Sequence, residues 1–251
     1  MKSRSFVTTG IILKMKDLGE SDRFITVYTQ DRGKLTCIGK NIRTLKSRRS
    51  TQIELLNRVQ LQLWESRHHY YLTECKAEER FSEMKQTLPN LSSATFVVEV
   101  TERLTPEGES IEDLFKLLNE TLNLMEFYPQ KHDLLRETYL LKLMNLLGTV
   151  TSFRECSLCR QNLPEKEAYL DPEHSTLYCA RCRKTIPYTL ENVPLQTLKL
   201  IHFILKNPMH AVLQLKITPD HLETLRQWGR FFLRQTLQYP LKSEMFLNPQ
   251  N

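Results

Sequence analysis

Four of the chain's 6 cysteines fall into two Cys-x-x-Cys pairs, Cys156/Cys159 and Cys179/Cys182, with 19 residues between the pairs. Two residues between sulfurs let one tight turn present both thiolates to a single ion, and two such turns complete a tetrahedron. The gap lies in the zinc-ribbon range. The expected ligand set is therefore Cys156, Cys159, Cys179 and Cys182 around one structural Zn2+. A redox dithiol is the main alternative, but the surroundings lack the βαβ pattern such a motif accompanies. His174 lies between the pairs as a spare ligand, yet four thiolates already fill the shell. A catalytic zinc keeps one position open for water, so this site is expected to hold structure and not to turn over substrate.

Other chemistry is not written in the sequence. The nucleobase-deaminase pattern, with H-x-E ahead of P-C-x-x-C, is absent. So are H-E-x-x-H, the phosphate-binding G-x-x-x-x-G-K-[ST] and the nucleophile elbow G-x-S-x-G. The scattered carboxylates form no pair distinguishable from a solvated surface. No enzyme is expected.

The second notable group is basic. Residues 39–50, "GKNIRTLKSRRS", carry Lys40, Arg43, Lys46, Arg48 and Arg49 with no acid. Net charge is +6, and its distribution is uneven: residues 1–50 hold 12 Lys/Arg against 4 Asp/Glu, while the other 201 residues hold 23 against 25. A polyanion partner for the first fifth of the chain is one reading, and a well-solvated basic face is the other. Basic residues in a loop follow an irregular phosphate path, and each neutralised phosphate releases counterions. Neighbouring strands carry Phe24, Tyr28, Trp64, Tyr70 and Tyr71, any exposed one of which would stack on a base. No recognition helix is apparent, so shape and backbone recognition of nucleic acid is favoured over sequence reading.

The elements that must position these groups are also legible. "IILKM", "RFITVYT", "KLTCIG", "RVQLQLW" and "YYLTE" are short, β-branched and aromatic. Val59, Leu61 and Leu63 alternate with Gln60 and Gln62, the period of a half-buried strand. "QDRGK" around Gly33 is a turn. Five such strands without long helices between them fit a small closed barrel of the OB type, with residues 40–57 as an unusually long polar link. From Phe81 the period becomes helical. Ser110–Asp113 reads as a capping box ahead of Ile111, Leu114, Phe115, Leu118, Leu122 and Met125. The segment from Leu134 to Leu147 is apolar nearly all round and ends at Gly148. Pro194 suits the first turn of a further helix, and Thr218-Pro219 starts a last one. The fold class is α+β multi-domain: an N-terminal OB-fold β-barrel over residues 1–80, an α-helical domain in two parts (81–150 and 191–241), an inserted four-cysteine zinc ribbon (151–190) and a tail (242–251). No apolar run approaches the ~18 residues of a membrane span. A soluble protein of a reducing, cytoplasmic compartment is expected.

Three stretches resemble the bacterial RecO family. "GESDRFITVYTQDRGKLTCIGKNIR" (residues 19–43) is similar to that family's opening, a Gly-Glu-x-Asp element before a strand, a Gly turn and a Gly-Lys-x-x-Arg segment. "FVVEVTERLTPEGESIEDLFKLLNETLNLM" (96–125) resembles its helical stretch, and "YLLKLMNLLGTVTSFRECSLC" (139–159) its helix leading to the cysteines. The resemblance implies a recombination mediator of the RecF pathway without covalent chemistry, in a bacterial, nucleoid-associated setting. It implies binding of single- and double-stranded DNA through the N-terminal OB-fold, annealing of complementary strands, and help in loading recombinase onto DNA covered by single-strand-binding protein. RecR, single-strand-binding protein and, as a further candidate, RecF are the implied partners. Arg23, Lys34, Lys40 and Arg43 fall in the matched segment, and Lys46, Arg48 and Arg49 adjoin it. These seven are the expected phosphate contacts. A protein-interaction adaptor, docking partners through its helical body or zinc ribbon, is the rival class. The chain departs from the family in two places. Asn41 stands where Gly-Lys-Gly-x-Arg is common, and Arg160-Gln161 stands where Gly usually follows the first cysteine pair.

Overall fold

The computed structural model describes residues 5–44, 51–149, 153, 155–163, 167–174, 176–237 and 239–244. Five strands come first: β1 (Ser5–Leu18), β2 (Asp22–Thr29), β3 (Gly33–Gly39), β4 (Arg58–Glu65) and β5 (Tyr70–Glu79). They close into a barrel in the order β1-β2-β3-β5-β4, as the OB reading expects. β1 is long enough to serve two neighbours, pairing with β4 from Ser5 to Ile11 and with β2 from Gly10 to Leu18. A register shift between Ile12 and Lys14 bends it round the barrel. Closure comes from a parallel pairing of β3 with β5, Cys37 opposite Tyr70 and Ile38 opposite Tyr71. Inside lie Ile12, Ile25, Val27, Leu35, Cys37, Val59, Leu61, Leu63 and Leu72. Each such side chain contributes about 1.5–3 kcal/mol on leaving water. The long link contributes too, since Ile53 joins this core and Leu56 is fully buried.

Two helices complete the first compact unit, which runs to His132 and takes in the chain again from Leu241. α1 (Leu88–Leu104) packs on β1, and α2 (Glu112–Phe127) packs on α1. The connection between them is stitched to β3. Lys34 bridges to Glu107, the Gly108 amide donates to the Lys34 carbonyl at 2.8 Å, and the Thr36 amide donates to the Glu107 carboxylate at 3.1 Å. The expected capping box at Ser110 does not form: α2 begins at Glu112 with Ile111 as its cap and no side-chain cap bond. The barrel has taken the peptide instead, because the buried Tyr28 hydroxyl lies 3.2 Å from the Ile111 amide and 3.4 Å from its carbonyl. The returning segment is held by Glu99, whose carboxylate accepts the Lys242 and Ser243 amides, each at 2.8 Å.

The second compact unit covers Asp133–Pro240. Its central helix, α3 (His132–Leu146), is buried as its apolar sequence demands, and Gly148 at φ +69° ends it. Arg136 and Glu137 are buried on it as well, paired at 2.6 Å. Asp133 lies 2.6 Å from Arg136. A three-stranded sheet follows, with β6 (Ala168–Asp171) between β7 (Thr176–Cys179) and β8 (Glu191–Val193). The one-turn α4 (Ala180–Arg183) follows β7 directly. α5 (Leu195–Lys206), the short α6 (Met209–Val212) and α7 (Pro219–Thr236) complete the unit. Thr218 caps α7 in a reciprocal box with His221. Arg226 of α7 approaches Glu137 of α3 to 3.7 Å, so the buried acid has cations from both helices. Among the described residues no helix is long and apolar enough to cross a membrane.

Candidate metal centre and nucleic-acid interface

The first cysteine pair sits on a tight turn. The Cys156 amide donates to the Gln161 carbonyl at 2.8 Å, and the Arg160 amide donates to the Cys156 carbonyl at 2.9 Å. Arg160 adopts φ +59°, so the turn keeps the left-handed geometry although a side chain replaces glycine there. Cys179 ends β7 and caps α4, and its sulfur accepts the Cys182 amide at 3.4 Å. The Cys179 amide in turn points at the Cys156 sulfur, also at 3.4 Å.

The four sulfurs lie within 4.8 Å of one another, with three of the cysteines buried and Cys159 exposed. A tetrahedron of about 2.3 Å metal–sulfur bonds has edges of about 3.8 Å, so closure takes shifts of about 1 Å or less. Burial opposes ionisation of Cys156, but the amides of Cys159, Cys179 and Leu158 outweigh it and bring the thiol down to about 6. Burial, with the crowding of the other three sulfurs, pushes Cys182 up to about 12. A divalent cation relieves such crowding by taking the place of the protons. The donor set therefore fits a metal ion. His174 stands apart from the cluster, with Nδ1 2.8 Å from the carboxylate of the buried Asp171.

The basic residues divide. Arg23, Lys40 and Arg43 gather at one end of the barrel, around the β1–β2 turn and the end of β3. Arg23 stands between Asp17 and Gly39 in the ladders, and its Nε donates to Asp17 at 2.9 Å. Arg43 reaches the same Asp17 at 3.3 Å and donates to the Gly19 carbonyl at 3.0 Å. Lys40 pairs with Asp22 at 2.7 Å. The Asp22 carboxylate also accepts the Asn41 amide at 2.8 Å, which steadies Asn41 at φ +52°. Those bonds, the Lys40 one foremost, hold the Asp22 carboxyl below its ordinary value, and Asp22 holds Lys40 above its own.

Lys34 lies at the other end of β3. Its ammonium donates to the Glu102 carbonyl at 2.6 Å, and burial pulls its pKa down. Lys46, Arg48 and Arg49 lie outside the described residues; the described chain reaches Thr44 and resumes at Thr51. Among the aromatics, Tyr28 is fully buried, Phe24, Tyr70 and Tyr71 are half-buried, and Trp64 is 43% exposed.

A family model described as "Recombination protein O N terminal" matches residues 1–81, and one described as "Recombination protein O C terminal" matches residues 85–245. Curated relatives carry the name DNA repair protein RecO. The one from Alkaliphilus metalliredigens is 26% identical over 220 residues, covering 88% of this chain and 89% of its own. That of Pelotomaculum thermopropionicum is 27% identical over 240 residues, covering 95% and 91%. That of Roseiflexus sp. strain RS-1 is 27% identical over 252 residues, covering 99% and 87%.

Proposed function

Because the chain belongs to the RecO family, whose members are DNA-binding recombination mediators and not enzymes, we propose that it works in DNA repair by annealing complementary single strands and helping to load recombinase onto DNA coated by single-strand-binding protein. In this reading it acts with RecR, and with RecF as a further partner, in the cytoplasm at the nucleoid. It binds both single- and double-stranded DNA through the barrel of residues 1–80. The supporting observation is the gathering of Arg23, Lys40 and Arg43 at one end of a closed barrel, where the chain enters the segment bearing Lys46, Arg48 and Arg49. Cations so placed neutralise phosphates without reading bases. We assign Lys34 to holding α1. The ion at Cys156, Cys159, Cys179 and Cys182 is zinc in this reading, and its role is to fasten the 151–190 insert.

The test is direct. Replacing Arg43, Lys46, Arg48 and Arg49 together lowers DNA affinity and flattens log K against log salt by up to ~0.7–0.9 for each phosphate that is no longer neutralised. The protein alone, without partners, anneals complementary strands. Unchanged affinity and slope would remove the site assignment, and absence of annealing would favour the adaptor reading. One observation supports that second reading in its own right. An open cleft of ≈ 760 Å³ in the second unit has an apolar floor that includes Leu195, Leu198 and Phe203, with Lys199 and Lys206 beside it. It suits an acidic, apolar peptide such as the tail of a single-strand-binding protein.

A further inference from the structure

One aromatic group on the barrel faces outward. On β4, Val59, Leu61 and Leu63 point into the core, and Gln60, Gln62 and Trp64 occupy the alternate positions. Trp64 is paired in register with Tyr71 of β5. Their rings stand 5.8 Å apart at 42°, and the ring of His69 meets Tyr71 edge-on at 6.5 Å. Tyr70 and Leu72 pack against the barrel core on the other side of the strand. A bulge between Gln62 and Leu63 in the β4–β5 register keeps the two outward rings opposite one another.

Arg67 of the β4–β5 turn and Lys40 at the end of β3 are the cations near this group, with the exposed Glu65 following Trp64. The β4–β5 turn contains Arg67, His68 and His69, all exposed, and Ser66 holds it by accepting the amides of His68 and His69 at 3.4 and 3.1 Å. Across the parallel β3–β5 seam, Ile38 lies opposite Tyr71, so β3 leaves past the aromatic pair at Gly39 and Lys40. A cross-strand aromatic pair adds modestly to the stability of a sheet. That accounts for the Trp64–Tyr71 pairing but not for leaving the indole in water near Arg67 and Lys40. An apolar peptide would gain nothing from Arg67 and Lys40; an unpaired base, with a π-face and a phosphate on each side, uses both.

We propose that Trp64 and Tyr71, extended by His69, form a stacking platform for the unpaired bases of single-stranded nucleic acid, with the backbone held by Lys40 and Arg67. This rests on the DNA-binding reading above and deepens it. The platform selects single strands, because bases paired inside a duplex cannot reach it, whereas the cationic cluster serves both forms.

The chain has 2 tryptophans, so Trp228→Phe leaves Trp64 as the sole indole reporter. In that background a thymidine oligonucleotide quenches the Trp64 emission in a saturable way, and a blunt duplex of equal length does not. Trp64→Ala weakens single-strand binding roughly five- to hundredfold, leaves duplex affinity and salt slope at wild-type values, and is rescued by Trp64→Phe. Saturable quenching is read on the intact fold, so it decides even if Trp64→Ala proves unstable. Binding of single strands without quenching, or with unchanged affinity in Trp64→Ala, overturns the platform while the DNA-binding reading stands. Absence of DNA binding by the wild-type chain overturns both.

Discussion

The Lys34 ammonium donates to the Glu102 carbonyl at 2.6 Å, in the last turn of α1. A carbonyl there has no partner within its own helix, and a cation at a helix C-terminus meets the negative end of the dipole. The residue therefore ties barrel to helix. Lys34→Met should cost about 1.5–3 kcal/mol, the range for a hydrogen bond involving a charged group. Urea unfolding measures the loss, and the salt slope of DNA binding should stay at its wild-type value. A flattened slope with unchanged stability would return Lys34 to the phosphate contacts.

Asp17 and Asp22 restrain the cationic cluster, one holding Arg23 and Arg43 and the other Lys40. Asp17→Asn and Asp22→Asn keep an oxygen to accept hydrogen bonds but remove the negative charge facing an incoming phosphate. Each should tighten DNA binding several-fold at low salt, with the gain shrinking as salt rises. The pH response follows from the same bond. Lys40 holds the Asp22 carboxyl below 3.8, so its folded value lies under its unfolded one. The stability this contributes is present above that ordinary value and is lost as pH falls through the depressed one. Acid titration of wild type against Asp22→Asn measures it, and weaker binding by the variants would show that the acids orient the cations for DNA.

Much of the barrel was legible because one physical signal carried it: Val59, Leu61 and Leu63 alternate with glutamines, and a closed sheet with one wet face requires that. The cysteines were legible for a similar reason, since two-residue spacing is dictated by metal geometry. Features that depend on partners far away in sequence were not legible. Nothing local distinguishes Lys34 from Lys40, yet Lys34 meets Glu102 and Lys40 meets Asp22. Ser110 has the composition of a cap, but Tyr28 claims the neighbouring peptide. Arg136 and Glu137 are the charged positions on an otherwise apolar stretch, and they are buried with Asp133 and Arg226 as their charge partners. The strands β6 to β8 have four residues or fewer each, too few to show any period.

Gly33 turns the chain from β2 into β3 at φ +63°, where an added Cβ would run into the Glu109 carbonyl. Both the conformation and the close approach exclude a side chain. Gly33→Ala should destabilise by more than about 2 kcal/mol, since strain at positive φ adds to displacement of the 107–109 segment. A shift in the urea midpoint tests this. Gly19→Ala is the matching control, because Gly19 shares a positive φ of +60° but an added Cβ there meets nothing within 4 Å. Gly19→Ala should cost only about 1 kcal/mol. Equal losses at the two glycines would show that conformation alone, and not the approach of the 107–109 segment, sets the requirement at Gly33.

Metal removal separates the cysteine insert from the barrel. One zinc per chain is expected, and Cys156→Ser or Cys182→Ser should abolish it. Loss of the ion leaves crowded sulfurs and no bond between the two turns, so the stability of the second unit should fall by more than about 3 kcal/mol. Duplex-DNA affinity, placed on the barrel, should hardly change. Thermal melts with and without chelator, read beside a binding titration, measure both. Arg160 offers a gentler probe of the same turn. At φ +59° an arginine carries strain that glycine does not, and Arg160→Gly should raise the melting temperature of the zinc-loaded protein, for a gain of about 0.5–1 kcal/mol. A Cys156→Ser protein that keeps its metal, or a chelated protein that melts as before, would show that the four sulfurs are not what holds this insert together.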